Sequence, residues 1–234
     1  MKELNQFIST GNNSQPTSTD TKPTDTDSTS LDYSSQNSSA ASVVDPSTPM
    51  TPEKPETFLT IQNVVSTVKL GCHLDLRAIA SKAWNVKYDP KSFQALIMMI
   101  RKPRATALMY KTGNMVCTGT RSEESSYIAA RRFARILQKL GHPVRFLNFK
   151  IQTMVGSCKI FPVNLEKLAL THRMHCSYEP ELFPALFYKV MPGVSVTVFA
   201  SGRASVNGGR TQADIYKAFD IIYPILCCFR KPEH

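Results

Sequence analysis

The sequence predicts an α+β fold built from two tandem copies of one unit, with helices on one side of an antiparallel sheet and its other side uncovered. Three observations predict it. The composition changes near residue 57, where a polar stretch gives way to a basic remainder. Within that remainder a unit of roughly 90 residues occurs twice. Inside each unit, short β-branched runs come in series with two helical segments, a pattern that gathers the helices on one face and leaves the other bare.

Residues 1–57 are expected to form a disordered tail. From Ser9 to Pro55 the chain is dominated by Ser, Thr, Asn, Gln, Asp and Pro, with too few large apolar side chains to offset the entropy of ordering. Ser47, Thr48-Pro49 and Thr51-Pro52 offer sites for proline-directed phosphorylation. The tail holds Lys2, Lys22 and Lys54 against Glu3, Asp20, Asp25, Asp27, Asp32, Asp45, Glu53 and Glu56. The formal charge of +10 for the whole chain therefore understates that of the remainder, which favours a polyanionic partner. Charge alone does not choose between nucleic acid and an anionic membrane. The chain has no secretory start and no apolar run of about 18 residues, so a soluble intracellular protein with no membrane association is expected. In such a compartment Cys72, Cys117, Cys158, Cys176, Cys227 and Cys228 stay reduced, and no disulfide is expected. His172, His175 and Cys176 lie close together but lack a second spaced pair, so no metal site is assigned.

The duplication is visible at four ordered places. Gln62 to Lys69 recurs as Gln152 to Lys159, and Tyr88-Asp89-Pro90-Lys91-Ser92-Phe93 recurs as Tyr178-Glu179-Pro180-Glu181-Leu182-Phe183. Tyr110-Lys111-Thr112-Gly113 aligns with Phe199-Ala200-Ser201-Gly202, and Thr118-Gly119-Thr120-Arg121 with Asn207-Gly208-Gly209-Arg210. The domains are accordingly 58–147 and 148–234.

Each element of the first copy has its own signal. Leu59 to Val68 is a β-branched run and reads as a strand. Leu74 to Ala83 has the spacing of a short amphipathic helix. Phe93 to Ile100, Thr106 to Tyr110 and Asn114 to Thr118 are short apolar runs broken by Pro103 and by Thr112-Gly113-Asn114, which predicts an antiparallel meander. A helix from Glu123 to Leu140 follows, with Ser122 as N-cap and Gly141 with Pro143 as its stop. The second copy repeats the plan, with a deletion near Met191-Pro192-Gly193 and a loosened turn at Gly208-Gly209.

Strand alternation puts Asn63, Val65 and Thr67 on one face, and Val116 with Thr118 on one face of another strand. Valines interspersed with single amide and hydroxyl groups suit the A·T minor groove, which offers acceptors and no bulky amino group. The same pattern also suits a half-buried strand packed on helices, and one strand does not separate the two.

Longer strings do. Gln62-Asn63-Val64-Val65-Ser66-Thr67-Val68, Val116-Cys117-Thr118-Gly119, Ser122-Glu123-Glu124, Met154-Val155-Gly156-Ser157-Cys158 and Ser177-Tyr178-Glu179-Pro180-Glu181-Leu182-Phe183-Pro184 resemble the TATA-box-binding protein family. The likeness runs from Phe58 to Lys231. It implies a saddle, a curved ten-stranded antiparallel sheet with four helices on its convex face. It implies aromatic wedges that unstack base steps at Phe93, Tyr110, Phe183 and Phe199. It implies groove-reading residues Asn63, Val65, Val116 and Thr118 in the first copy, and Thr153, Val155, Ser205 and Asn207 in the second. Arg104, Lys111, Arg203 and Arg210 are the expected phosphate contacts. Glu179, Glu181 and Leu182 match the stirrup that meets transcription factor IIB, and the Asn114-Met115 edge matches the region meeting factor IIA. The helix face of Arg131, Arg132, Arg135 and Lys139 is expected to meet TBP-associated factors or class III initiation subunits. Promoter DNA is the implied partner, bound by a monomer in the nucleus, without cofactor or metal.

This sequence departs from the family pattern at Tyr110, where a phenylalanine is expected, and at Thr153, Ser205 and Asn207. The expected Asn and Thr of the second copy stand exchanged, as Thr153 and Asn207. These departures favour a paralogue over the general factor, with an altered site preference under the second copy. They also support an alternative from another class of function, an interaction protein that recruits or sequesters general factors and binds TATA elements weakly. An enzyme is not expected: paired carboxylates, a Ser/His/Asp set and a phosphate-cradling glycine loop are all missing from the sequence.

Overall fold

The computed structural model describes residues 59–232. The expected tail, with Ser47, Thr48 and Thr51, lies outside the described residues, as does Phe58.

The described chain forms β1 (Thr60–Lys69), α1 (Leu76–Lys82), β2 (Val86–Lys87), β3 (Leu96–Arg101), β4 (Arg104–Met109), β5 (Asn114–Thr120) and α2 (Glu123–Lys139). The same order then returns as β6 (Leu147–Lys159), α3 (Leu165–Thr171), β7 (Cys176–Ser177), β8 (Ala185–Met191), β9 (Val194–Phe199), β10 (Arg203–Asn207) and α4 (Gln212–Cys227). All ten strands join one curved antiparallel sheet in the order β2-β3-β4-β5-β1-β6-β10-β9-β8-β7. That order is symmetric about the β1–β6 junction. There Asn63 lies opposite Val155 and Val65 opposite Thr153, so the groove-reading candidates of both copies meet at the middle of the sheet.

Alternation along the strands divides the apolar residues into two faces. Leu96, Met98, Ala105, Ala107, Met109, Met115 and Cys117 pack with Ala129, Phe133 and Leu137 of α2 in one core cluster. Val194, Val196, Val198, Ala204 and Val206 pack with Ile215, Ala218 and Ile222 of α4 in the other. Both long helices thus cover the same face. Their starts are fixed by caps: the Ser122 hydroxyl accepts the Ser125 N–H, and Thr211 forms a reciprocal capping box with Asp214.

The copies meet their helices differently. In the first, the buried hydroxyls of Ser66 on β1 and Ser126 on α2 are hydrogen-bonded at 2.8 Å. The matching places of the second hold Gly156 and Ile215, and a Cβ at Gly156 would come 2.7 Å from Ile215 Cγ2. A polar pair in one copy is thus replaced by a large residue against an empty place in the other.

Several element ends differ from the sequence expectation. The third strand begins at Leu96 and not Phe93, because Asp89 turns the chain: its Oδ1 accepts the Lys91 N–H and its carbonyl accepts the Phe93 N–H. The fourth begins at Arg104 and ends at Met109, leaving Tyr110 in the following turn. The first helix is shorter, Leu76–Lys82, because Asp75 caps it. Gly208 tightens its turn where a loosening was expected: its φ is +110° and a Cβ there would stand 2.0 Å from the Gly193 carbonyl oxygen.

Candidate nucleic-acid interface

The face opposite the helices is lined by Thr106 and Leu108 of β4, Val116 and Thr118 of β5, Asn63, Val65 and Thr67 of β1, Thr153 and Val155 of β6, Ser205 and Asn207 of β10, and Thr197 of β9. Register places them side by side, with Thr106 opposite Thr118, Leu108 opposite Val116, and Ser205 opposite Thr197. Asn63, Thr67, Thr118, Thr153, Val155, Ser205 and Asn207 are half-buried. Val65 and Val116 sit deeper than a reading surface requires, at 0% and 9% exposure, although neither belongs to a helix-side cluster. They are the floor of the face. Val65 pairs with Thr153 across the β1–β6 junction, and Val116 with Leu108 on β4.

The two asparagines of this face are oriented oppositely. Asn63 Oδ1 accepts hydrogen bonds from the Gly119 N–H at 2.8 Å and the Thr118 hydroxyl at 3.1 Å. A backbone N–H only donates, so the oxygen's place is fixed and the amide NH2 remains for a ligand. Asn207 instead uses its Nδ2, at 3.2 Å from both the carbonyl and the hydroxyl of Ser205 and at 3.5 Å from the Thr197 hydroxyl. Thr153 and Asn207 therefore do not simply mirror Asn63 and Thr118. Gln152 adds a bond across the junction, from its Nε2 to Thr67 Oγ1 at 2.7 Å.

Aromatic rings stand at the ends of the face. Phe183 is 42% exposed, with its ring stacked on Phe187 at 5.4 Å and edge-on to Phe199 at 6.0 Å. Phe93 and Tyr110 are half-buried, and the pairing of Leu96 with Met109 sets them at the same end of the β3–β4 hairpin. Phe187, 45% exposed, was missed from the sequence. Its signal was there, since it alternates with the buried Leu186 and Tyr188.

The four expected phosphate contacts are exposed. Arg104 opens β4 opposite Arg101, and Arg203 opens β10 opposite Lys159, so each doubles the positive charge at its strand end. Lys111 lies in the β4–β5 turn. Arg210 differs, standing at the mouth of α4 with its backbone N–H on Asp214 Oδ2 at 3.1 Å.

Of the expected protein-binding residues, Glu179, Glu181 and Leu182 form an exposed turn, with Leu182 85% exposed. Asn114 is exposed, but Met115 is fully buried under α2, and β5 is an internal strand between β4 and β1. The expected Asn114-Met115 edge is thereby corrected to Asn114 and its turn. Edges fall at β2 and β7, which have two residues each. On α2, Arg131, Arg132 and Arg135 border a groove of about 480 Å³ with Tyr127 and Phe146, and the Arg131 guanidinium lies 5.7 Å from both ring centroids. Lys139 is exposed on the helix's last turn, outside that groove.

All six cysteines are free thiols. Burial pushes Cys117 up to about 12 and Cys158 up to about 11. His172, His175 and Cys176 gather around Tyr188, whose hydroxyl is 3.1 Å from His172 Nδ1. No helix among the described residues is long and apolar enough to cross a membrane.

The family model described as transcription factor TFIID (or TATA-binding protein, TBP) matches residues 58–140 and 148–229, once per copy. The chain belongs to the TATA-binding protein family. It is 56% identical over 173 residues to the TATA-box-binding protein of Xenopus tropicalis, covering 73% of this chain and 58% of that protein. It is 53% identical over 208 residues to TATA box-binding protein-like 2 of Rattus norvegicus, covering 86% of this chain and 60% of that protein. The chain thus aligns with about three fifths of each relative's length. Among solved structures, Methanococcus jannaschii TBP superposes with a TM-score of 0.62 at 30% identity, covering 73% of this chain and 98% of that one. Both the general factor and a named paralogue stand at similar distance from this TATA-binding protein family member.

Proposed function

We propose that the concave face binds A·T-rich promoter DNA through the minor groove, kinks it at both ends and nucleates assembly of a transcription initiation complex. The observation that carries this reading is the Asn63 amide, held by Thr118 and Gly119 so that its NH2 group is left for acceptors. An A·T pair offers only acceptors in the minor groove, N3 of adenine and O2 of thymine. The valine floor takes the smooth groove bottom, and Phe93 with Tyr110, and Phe183 with Phe199, wedge into the flanking steps. Arg104, Lys111, Arg203 and Arg210 hold phosphates, which makes binding strongly salt-dependent. The exposed stirrup at Glu179 to Leu182 and the basic groove of α2 then serve protein partners, transcription factor IIB at the stirrup and TBP-associated or class III subunits on the helix. Factor IIA meets the Asn114 turn. The chain acts in the nucleus, without catalysis.

Gel-shift titration of the full chain on TATA and non-TATA duplexes, at a fixed salt near 100 mM, tests this. Binding of the TATA duplex about a thousandfold tighter is expected. Equal and weak binding of both supports instead the second reading, a factor-sequestering paralogue, which Tyr110, Thr153, Ser205 and Asn207 favour.

A further inference from the structure

We propose that the second copy presents an acceptor, the Asn207 carbonyl oxygen, whereas the first presents a donor, the Asn63 amide NH2, so that the half-site beneath the second copy takes a G·C pair at the Asn207 contact. This rests on the minor-groove reading above and extends it to base preference. Three matched positions have changed together. Leu108, Val116 and Thr118 in the first copy correspond to Thr197, Ser205 and Asn207 in the second. The pairing is preserved, Leu108 with Val116 and Thr197 with Ser205. An apolar pair unable to accept a hydrogen bond has become two hydroxyls, and an asparagine now stands over them.

The amide orientation follows from chemistry. Asn207 Nδ2 lies 3.2 Å from the Ser205 carbonyl oxygen, which has no hydrogen to give, so turning the amide over would set two oxygens against each other. Nδ2 also lies 3.2 Å from Ser205 Oγ and 3.5 Å from Thr197 Oγ1. The nitrogen thus faces acceptors of the protein, and the side chain, half-buried on the concave face, offers its carbonyl oxygen to a ligand. In the minor groove the only donor is the exocyclic amino group of guanine. At Asn63 the same amino group would meet an NH2 donor; at Asn207 it meets an acceptor.

Replacing guanine by inosine removes only that amino group, which makes the test direct. The full chain is titrated against A·T-rich duplexes carrying A·T, I·C or G·C at each position in turn. At one position, in one half of the site only, G·C should bind roughly tenfold tighter than I·C, and elsewhere G·C should be the weaker. The triple variant Thr197→Leu, Ser205→Val, Asn207→Thr restores the first-copy residues at these three positions, removes the amide oxygen and should abolish the G·C preference at that position. The wild-type series decides if the variant does not fold. I·C binding as tightly as G·C or tighter at every position overturns the inference while leaving minor-groove binding intact. No preference for any A·T-rich duplex over a G·C duplex overturns the underlying reading as well.

Discussion

Replacing Asn63 by Asp keeps the side chain's shape and changes what it shows to the groove. One carboxylate oxygen still accepts from the Gly119 N–H and the Thr118 hydroxyl, at 2.8 and 3.1 Å in the native contact. The other oxygen stands where the NH2 group was, so a donor facing acceptors becomes a charged acceptor facing acceptors. Gly119 is exposed, and the retained bonds keep the loop, so folding stability should change by less than about 0.5 kcal/mol, as for a surface substitution. Affinity should not be spared. Loss of one base-edge contact is worth about 1–3 kcal/mol, which corresponds to roughly 5- to 150-fold weaker binding of an A·T-rich duplex. Fluorescence anisotropy at one fixed salt gives the affinity, and thermal unfolding gives the stability. Binding within twofold of wild type, or a loss of stability matching the loss of affinity, would refute the assignment of Asn63 as a groove donor.

The further outcomes concern the fold that holds the face and its buried groups. Gly156→Ser places a Cβ 2.7 Å from Ile215 Cγ2 and should destabilise by about 1–3 kcal/mol in denaturant melts. Ile215→Ser alone empties a fully buried core position and should cost several kcal/mol, but combined with Gly156→Ser it recreates the Ser66–Ser126 pairing, so the double variant should be less destabilised than the sum of the two singles by about 1 kcal/mol. Thr211→Ala removes the cap of α4 and should lower stability by about 1 kcal/mol. Asp214, held below its usual value by the backbone and hydroxyl hydrogen bonds of Thr211 and the backbone N–H of Arg210, stabilises the fold when ionised. That contribution is present above the ordinary aspartate value and lost as pH falls through the lowered one, so Asp214→Asn should flatten stability against pH in the acid range. Cys117, pushed up to about 12 by burial, should resist thiol reagents at pH 8 in the native protein, while exposed Cys228 reacts. Mass mapping of the labelled cysteines checks it.

The duplication, both long helices and the bare face were legible because each rests on a period or a cap: Ser122 begins its helix as its sequence context requires, and the repeat carries the same start to Thr211. Strands β2 and β7 were not legible from residues alone, since two residues carry no period. The start of β3 at Leu96, where the apolar run begins at Phe93, was not legible because the Asp89 turn competes with that run. Val65 and Met115 show the limit of alternation, which assigns a face but not a depth. Phe187 and Thr197 were within reach, because β8 and β9 alternate strictly. The orientation of the Asn207 amide was not, since it depends on which acceptors the neighbouring strand brings within 3.2 to 3.5 Å.

Whether the concave face bends DNA is decided most directly by energy transfer between dyes at the two ends of a short A·T-rich duplex. Binding of the full chain should shorten the end-to-end distance by a kink of tens of degrees, and Phe183→Ala with Phe199→Ala should reduce the kink more than the binding. Tight binding by the wild-type chain with the duplex left straight would contradict the assignment of this face as a kinking, minor-groove surface.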